Sequence, residues 1–209
     1  MKLTRLALLA TGLTLISACT IFPESEPLDV YRLPAAQAPA SRGSPATQPW
    51  SLRLNKLQAS EALNRPTIAV IPQGDVISSY KASRWSDPAP VLLRNRLLDG
   101  FQRDGRVTLL STDDSNFQAD LELGGNLQAF QTEYQGTQAS VVVRLDALLV
   151  RGYDQRILAS RRFEERQPLN DVKVPAVVAG FGQASDRLTA KVVDWAVDQG
   201  QKLAPESQR

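Results

Sequence analysis

Three consecutive segments of alternating apolar and polar residues constrain the fold of this chain more than any other feature of its sequence. In the first segment the apolar positions are Ala119, Leu121, Leu123 and Leu127, and the polar ones are Asp120, Glu122, Asn126 and Gln128. In the next two segments the apolar positions are Val141, Val143, Leu145, Ala147 and Leu149, then Ile157, Ala159 and Phe163. A period of two is typical of half-buried strands, and the compositions of Gln135-Gly136 and Gly152-Tyr153-Asp154 favour hairpin turns. The sequence therefore predicts an antiparallel meander of three long strands with one buried and one wet face.

Two irregularities interrupt the first of these strands. Gly124-Gly125 lies inside the strand pattern, which indicates a bulge or a close approach of another backbone segment. The alternation also slips by one residue near Ala129-Phe130, which predicts a β-bulge.

Shorter strand patterns precede the meander. They are rich in β-branched, aliphatic and aromatic residues, and they lie at residues 28–33, 50–54, 67–71, 76–80 and 106–110. The third is a continuous apolar run that Pro72 closes.

Two amphipathic helices complete the pattern. Leu93, Leu97 and Phe101 follow one another at four-residue spacing, after Ser86 or Asp87 as a cap and Pro88 at the first helical position, and Gly100 and Gly105 mark the end. The second helix has an apolar stripe at Val177, Phe181, Ala184, Leu188, Val192 and Trp195. A membrane-surface helix is the alternative, but acidic residues on its polar side favour packing on the sheet. We expect an α/β domain of the α+β type: a two-layer sandwich, with a mostly antiparallel sheet and two main amphipathic helices on one face.

The N-terminus has the features of a secretory signal. Lys2 and Arg5 precede an apolar stretch at residues 6–16, which is too short for a membrane span because that requires about 20 apolar residues. Ile16-Ser17-Ala18-Cys19 follows and resembles the bacterial lipoprotein box, in which the cysteine receives diacylglycerol and an acyl chain such as palmitate. The alternative is an ordinary signal peptide with a stray cysteine. Thr20, in place of the aspartate that favours inner-membrane retention, predicts the periplasmic face of the outer membrane.

These patterns divide the chain into four parts. We predict a signal peptide at 1–18, a tether and Pro-rich linker at 19–49 with a short strand within 28–33, a single domain at 50–200 and a disordered tail at 201–209. If that strand forms, about eight residues separate it from Cys19, and a flexible coil of that length spans about 16 Å. The domain would then sit close to its membrane.

Composition excludes several classes of function. The precursor has 24 basic and 22 acidic side chains, so that removal of Lys2 and Arg5 leaves 22 of each and gives no support for a nucleic-acid partner. With no histidine and one acylated cysteine, the chain lacks a Ser-His-Asp triad, a Cys-His pair and the usual transition-metal ligands. Carboxylate chemistry, a Ser-Lys pair and an oxygen-ligand calcium site remain open. Asp113-Asp114 favours a turn, and Gly180-Phe181-Gly182 lies in a helical pattern and lacks the third glycine of a dinucleotide fingerprint. We expect no enzyme activity, no metal and no cofactor beyond the covalent lipid.

Several motifs together resemble one known family. They are the lipobox, Tyr31-Arg32-Leu33, Ile68-Ala69-Val70-Ile71-Pro72, the stretch from Tyr80 to Trp85, WSDPAPVLLRNRLLDGF, ADLELGGNLQAF, ILASRRFE and the helix that ends at Trp195. They resemble the ABC-type transport auxiliary lipoprotein family, which includes the lipoprotein subunit of the paraquat-inducible system. The resemblance implies an auxiliary, non-catalytic role in intermembrane lipid transport, with a mammalian-cell-entry (MCE) domain protein and, through it, an ABC permease and ATPase as partners. It implies that the domain docks the MCE assembly to the outer membrane.

Other functions stay open at this point. An envelope scaffold for lipopolysaccharide or peptidoglycan machinery is the main alternative, and a lipid hydrolase with a Ser-Lys or carboxylate pair is another. Tyr80, Arg84 and Trp85 lie in a predicted loop and are candidate partner-interface residues, because aromatic and cationic side chains are enriched at interface hot spots. The alternative is that Trp85 fills the core. The polar face of the meander is a second candidate surface, exposed sheet edges permit a homo-oligomer, and we expect a filled core rather than a lipid pocket.

Overall fold

A computed structural model describes residues 27–36, 47–115 and 117–203 of the chain. The predicted signal peptide and the lipobox, Cys19 included, lie outside the described residues, as does the chain after Leu203.

The described segments form nine strands and two helices. The strands are β1 (Asp29–Tyr31), β2 (Leu52–Leu54), β3 (Gln58–Ala59), β4 (Thr67–Gln73), β5 (Val76–Trp85), β6 (Leu110–Thr112), β7 (Leu121–Gln135), β8 (Gln138–Arg151) and β9 (Ile157–Leu169). The helices are α1 (Ala89–Asp104) and α2 (Val174–Leu203). The short strand predicted within 28–33 is therefore present as β1.

The three long strands β7, β8 and β9 form the predicted antiparallel meander. The other edge of β7 pairs with β2, β3 and β4 in succession along its length, and these three short pairings are parallel. From β4 the sheet continues through antiparallel β5 to β1, which pairs parallel with β5, while β6 pairs with β2. The fold class is confirmed as a mostly antiparallel sheet with two helices.

Glycines make two expected features of the meander possible: the β7–β8 turn and the close approach of β7 to β8. Gly136, in the β7–β8 turn, has a φ of +63°, a left-handed conformation that side-chain-bearing residues rarely adopt. Gly125 has a φ of +138°, and a Cβ atom there would lie 2.0 Å from the carbonyl oxygen of Asp146 on β8. The register shifts between Leu127 and Ala129. Both the close backbone approach and the bulge predicted for β7 are confirmed.

Both helices cover the same face of the sheet and bury its apolar side chains. Trp85 of β5, Phe130 of β7 and Phe181 of α2 form an aromatic cluster, with ring centroids 4.7 to 6.0 Å apart. Phe163 of β9 packs edge-on against Trp195 of α2, with 5.6 Å between ring centroids. The predicted α2 stripe is buried, which confirms that the helix packs on the sheet.

Several predicted element boundaries differ from the structure. Strand β4 does not close at Pro72 but continues to Gln73. Helix α1 has Pro88 as its N-cap and no side-chain cap, because proline has no side-chain acceptor; Ser86 and Asp87 precede the cap, and the Ser86 hydroxyl donates to the Asp87 carboxylate. Its end at Gly105 is as predicted, and the N–H of Gly105 donates to the Phe101 carbonyl. The strand expected at 106–110 lies at Leu110–Thr112, where it pairs with β2. Helix α2 runs to Leu203, past the domain boundary predicted at residue 200.

Candidate functional site

The stretch from Tyr80 to Trp85 is a strand and not the predicted loop. It forms the second half of β5, held between β4 on one side and β1 on the other. The register jumps from Ala69 opposite Ser79 to Thr67 opposite Arg84, so β5 carries extra residues there and bulges. Ala82, in this bulge, has a φ of +51°.

Trp85 is completely buried in the aromatic cluster, so its assignment to a partner interface is corrected in favour of a core role. Its ring lies perpendicular to that of Phe181, with 5.2 Å between centroids. Neighbouring residues of a strand face opposite sides of the sheet, so Arg84 is exposed next to it. Tyr80 is half-buried beside Thr132, and burial raises the pKa of its phenol to about 12. The partner-interface role of Tyr80 and Arg84 stays a prediction.

Beyond β1, the chain is fastened across both helices. We call residues 32–36 the strap. The Arg96 guanidinium of α1, which is 5% exposed, donates to the carbonyl oxygen of Pro34 in the strap and pairs with Asp186 of α2 at 2.6 Å. Gly182 of α2 lies under Pro34, where a Cβ atom would be 3.2 Å from the proline ring. The N-terminal segment is therefore built into the domain through β1 and the strap.

Sequence reasoning missed Arg96, although a signal was present. It lies three residues after Leu93, on the apolar stripe of α1, where a charged residue indicates a buried partner. The same holds for Glu165 of β9, which shares the inward parity of Phe163. Burial by itself raises the pKa of Glu165, but hydrogen bonds from Lys191 and Arg187 of α2 outweigh it and keep that pKa below its usual value.

The acidic pair Asp113-Asp114 lies in a turn, as predicted, and has a structural partner. Arg94 of α1, whose side chain is 7% exposed, binds Asp113 at 2.5 Å and Asp114 at 2.7 Å. The pKa of Asp113 is lowered: burial opposes the shift, while the Lys56 N–H and Arg94 produce it. In the part of the chain that the structure describes, no group of three or more acidic, cysteine or histidine side chains is arranged to hold a metal ion.

Two open grooves lie on the helical side. The larger, about 470 Å³, runs between the strap and α1 and is lined mainly by polar residues, including Arg32, Asp87, Asn95, Arg96, Asp99 and Arg103. The other, about 370 Å³, is lined by Arg161, Lys191, Asp194, Trp195, Asp198 and Gln199. Both grooves are open to solvent and contain charged side chains, whereas a site that carries a lipid encloses most of its ligand.

The face of the meander away from the helices carries a ladder of ion pairs. Glu164 of β9 binds Arg144 of β8 at 2.6 Å and Arg166 at 2.8 Å, and Arg166 also binds Glu133 of β7 at 3.0 Å. The Arg144 guanidinium is the main reason that the pKa of Glu164 is lowered. This charged face remains the second candidate for a docking surface.

Large exposed apolar side chains gather at two ends of the sheet. One group lies at the β4–β5 hairpin and consists of Val76 and Ile77, at the start of β5; we call it the hairpin-end patch. Leu28 and Val30 are also exposed, but they lie at β1, about 20 Å along the sheet from Val76. The other, which we call the opposite-end patch, consists of Leu109, Phe117, Tyr153 and Ile157.

Strand register separates the two patches. Ile71 of β4 pairs with Glu133, so the β4–β5 hairpin lies where β7 ends. Leu121 pairs with Arg151, and the N–H of Gly152 donates to the carbonyl of Asp120 at 2.9 Å, so the opposite-end patch lies where β7 begins.

No helix among the described residues is long and apolar enough to cross a bilayer. The sequence profile of the ABC-type transport auxiliary lipoprotein component matches residues 31–193. The chain belongs to this family. The match begins in β1 and extends into α2, so it includes the strap as well as the sheet and α1.

Three other proteins are similar to this chain in sequence or in structure. An uncharacterized protein of Bradyrhizobium diazoefficiens, bll6063, is 30% identical over 151 residues, which is 68% of this chain but only 40% of that relative. The crystal structure of protein XCC0632 from Xanthomonas campestris is 25% identical and superposes with a TM-score of 0.77 over 84% of this chain and 98% of that one. An uncharacterized protein of known structure shares the fold at 16% identity, with a TM-score of 0.61 over 81% of this chain and 99% of that one.

Proposed function

We propose that this family member is anchored by acyl chains on Cys19 to the periplasmic face of the outer membrane. There it docks the MCE protein of an ABC-type lipid transport system, without catalytic activity of its own. The family is that of the auxiliary lipoprotein component of ABC-type transporters, and the proposal specifies where this member acts and which protein it binds.

The observation that carries the proposal is the way the N-terminal segment joins the domain. Strand β1 and the strap make it part of the sheet and the helical layer, so that about eight residues separate Cys19 from β1, a length that would span about 16 Å as a flexible coil. A tether that short suits a docking subunit held at the membrane. It does not suit a carrier that travels across the periplasm.

The non-catalytic part of the proposal rests on how the buried charges are used. Asp113, Glu165 and Asp186 each bind an arginine or lysine that links two elements of the fold. The pKa values of Asp113 and Glu165 are held below their usual range despite burial, whereas general acid catalysis requires a raised pKa.

The test is recovery of partners from the membrane. Full-length protein with a C-terminal tag is crosslinked in cells, solubilised from outer membranes in mild detergent and analysed by mass spectrometry. We expect an MCE-domain protein among the recovered proteins, and we expect it to be lost in a Cys19→Ser variant that stays off the membrane. Tyr80→Ala and Arg84→Ala variants in the same experiment test whether these two residues take part in docking.

Two results would contradict the proposal. Recovery of lipopolysaccharide or peptidoglycan machinery alone would favour the scaffold alternative. Equal recovery of the MCE-domain protein with the Cys19→Ser variant would show that docking does not require the membrane anchor.

A further inference from the structure

Strand β1 fixes the direction from which the tether enters the domain. It pairs parallel with β5, Asp29 opposite Ser83 and Tyr31 opposite Trp85. Followed backwards from Asp29, the chain therefore points along β5 toward its first residue, Val76, and the β4–β5 hairpin. From Ser83 to Val76 is about 20 Å at the rise of a β-strand. The tether, which spans about 16 Å as a coil and about 27 Å when fully extended, covers that distance.

The opposite end of the sheet is much harder for the same tether to reach. It lies about 25 Å from β1 along the strand direction, because the β4 residues beside β1 are level with Ala129 and the sheet extends on to Leu121. The chain would first have to reverse its direction and then run almost fully extended. The lipid anchor is therefore closer to the hairpin end.

The surface at the hairpin end has the chemistry of a lipid contact. Val76 is 63% exposed and Ile77 46%. Asp75 adjoins them in the hairpin turn, and Lys81 is exposed farther along β5. Exposed apolar side chains at the tip of a hairpin bind the boundary between acyl chains and headgroups by burying apolar area there.

We infer that the hairpin-end patch rests on the lipid surface into which the Cys19 acyl chains insert. This inference rests on the proposed anchoring at Cys19. The contact orients the domain: the opposite-end patch faces away from the membrane, and the long strands stand across the membrane plane. A single flexible anchor alone would allow the domain to rotate relative to the membrane. The apolar contact fixes its orientation.

The test uses the acylated full-length protein in vesicles of phosphatidylethanolamine and phosphatidylglycerol. Cys19 is the only cysteine in the sequence and its thiol is blocked by acylation, so one introduced cysteine accepts a fluorophore selectively. The variants are Val76→Cys and, as the matched control, Tyr153→Cys, which is 78% exposed at the other end. Nitroxide-bearing lipids in the vesicles then quench whichever label lies at the bilayer.

We expect the fractional loss of fluorescence at position 76 to exceed that at position 153 several-fold. Equal quenching at both positions, or greater quenching at position 153, in protein that co-floats with vesicles would overturn the orientation and leave the anchoring intact. If the protein lacks the added mass of the acyl chains and does not float with the vesicles, both the orientation and the anchoring at Cys19 would be overturned.

A second copy of the chain is the competing occupant of this patch. The vesicle-free Cys19→Ser protein, labelled at position 76, tests it. Shielding of the label that grows with protein concentration would assign the patch to self-association and overturn the lipid contact. Fluorescence that does not change with concentration supports the lipid contact.

Discussion

The two faces of the β7–β8–β9 meander have the same alternating pattern but serve different purposes. On the helix-covered face, Val143 and Leu145 are completely buried. On the open face, Arg144, Glu164 and Arg166 form ion pairs in contact with solvent. Apolar burial gives far more free energy of folding than exposed ion pairs do. The covered face therefore supplies most of the free energy of folding. Substitutions on the open face cost little stability.

Gly125 should show the largest effect, because its neighbour is backbone and cannot move aside. Gly125→Val places a Cβ atom 2.0 Å from the Asp146 carbonyl in a positive-φ conformation, so we expect a loss of more than about 4 kcal/mol in the free energy of unfolding, or failure to fold. Urea denaturation followed by circular dichroism measures it. Gly124→Ala is the control: its Cβ would lie 3.6 Å from the Asn55 side chain, an ordinary contact. Similar losses in both variants would contradict the close approach.

The second largest effect is expected at Arg96, the buried arginine of α1 that holds the strap. Arg96→Ala removes the ion pair to Asp186 and the hydrogen bond to the Pro34 carbonyl, and breaking a buried pair costs about 3–5 kcal/mol. Limited proteolysis should also cut near residues 34–36 sooner than in the unmodified protein. A full loss of stability with no change in cleavage at the strap would mean that Arg96 acts through Asp186 alone.

The neighbouring residues Glu164 and Glu165 allow the two faces to be compared through the pH dependence of stability. Glu165 faces the helices and Glu164 the open side, and the folded-state pKa of each is lowered, mainly by Lys191 and Arg187 for the first and by Arg144 for the second. A lowered pKa contributes stability that is present above the unfolded value of about 4.3 and is lost as the pH falls through the folded value. Acid-induced loss of stability should shrink in Glu165→Gln more than in Glu164→Gln, since water screens the exposed pair. Unfolding in urea from pH 7 to pH 3 measures this, and an equal change in both variants would count against the distinction.

The smallest effect is expected on the open face. Arg166→Ala removes two exposed ion pairs, to Glu133 and Glu164, and exposed pairs are worth about 1 kcal/mol or less. The melting temperature should hardly change, and salt should reduce what difference there is. A loss as large as that of Arg96→Ala would show that the ladder is structural and not available to a partner.

The periodicity of apolar residues predicted the parts of the fold that depend on residues close together in the sequence. The alternation of β7 to β9, their two turns, the bulge in β7 and the stripe of α2 follow from the periodicity of neighbouring residues, and all are present. The parallel pairings of β2, β3 and β4 with β7 join residues far apart in the sequence. Nothing in those short segments specifies their partner strand.

The candidate site was harder to predict for the same reason. Trp85 and Arg84 looked alike as interface residues, but pairing of β5 with both β4 and β1 buries the tryptophan and exposes the arginine. Arg96 acquires its role from the strap, a segment that composition alone places in a linker.

The most direct test of the account lengthens the tether. A flexible Gly-Ser insert of about 20 residues between Thr20 and Pro27 leaves the anchor and the domain intact but increases the reach of the domain from the membrane about twofold. The account predicts normal acylation, outer-membrane fractionation and melting temperature, together with a clear fall in recovery of the MCE-domain protein after crosslinking. Recovery equal to that of the unmodified protein would contradict the claim that β1 and a short tether hold the domain at its docking position.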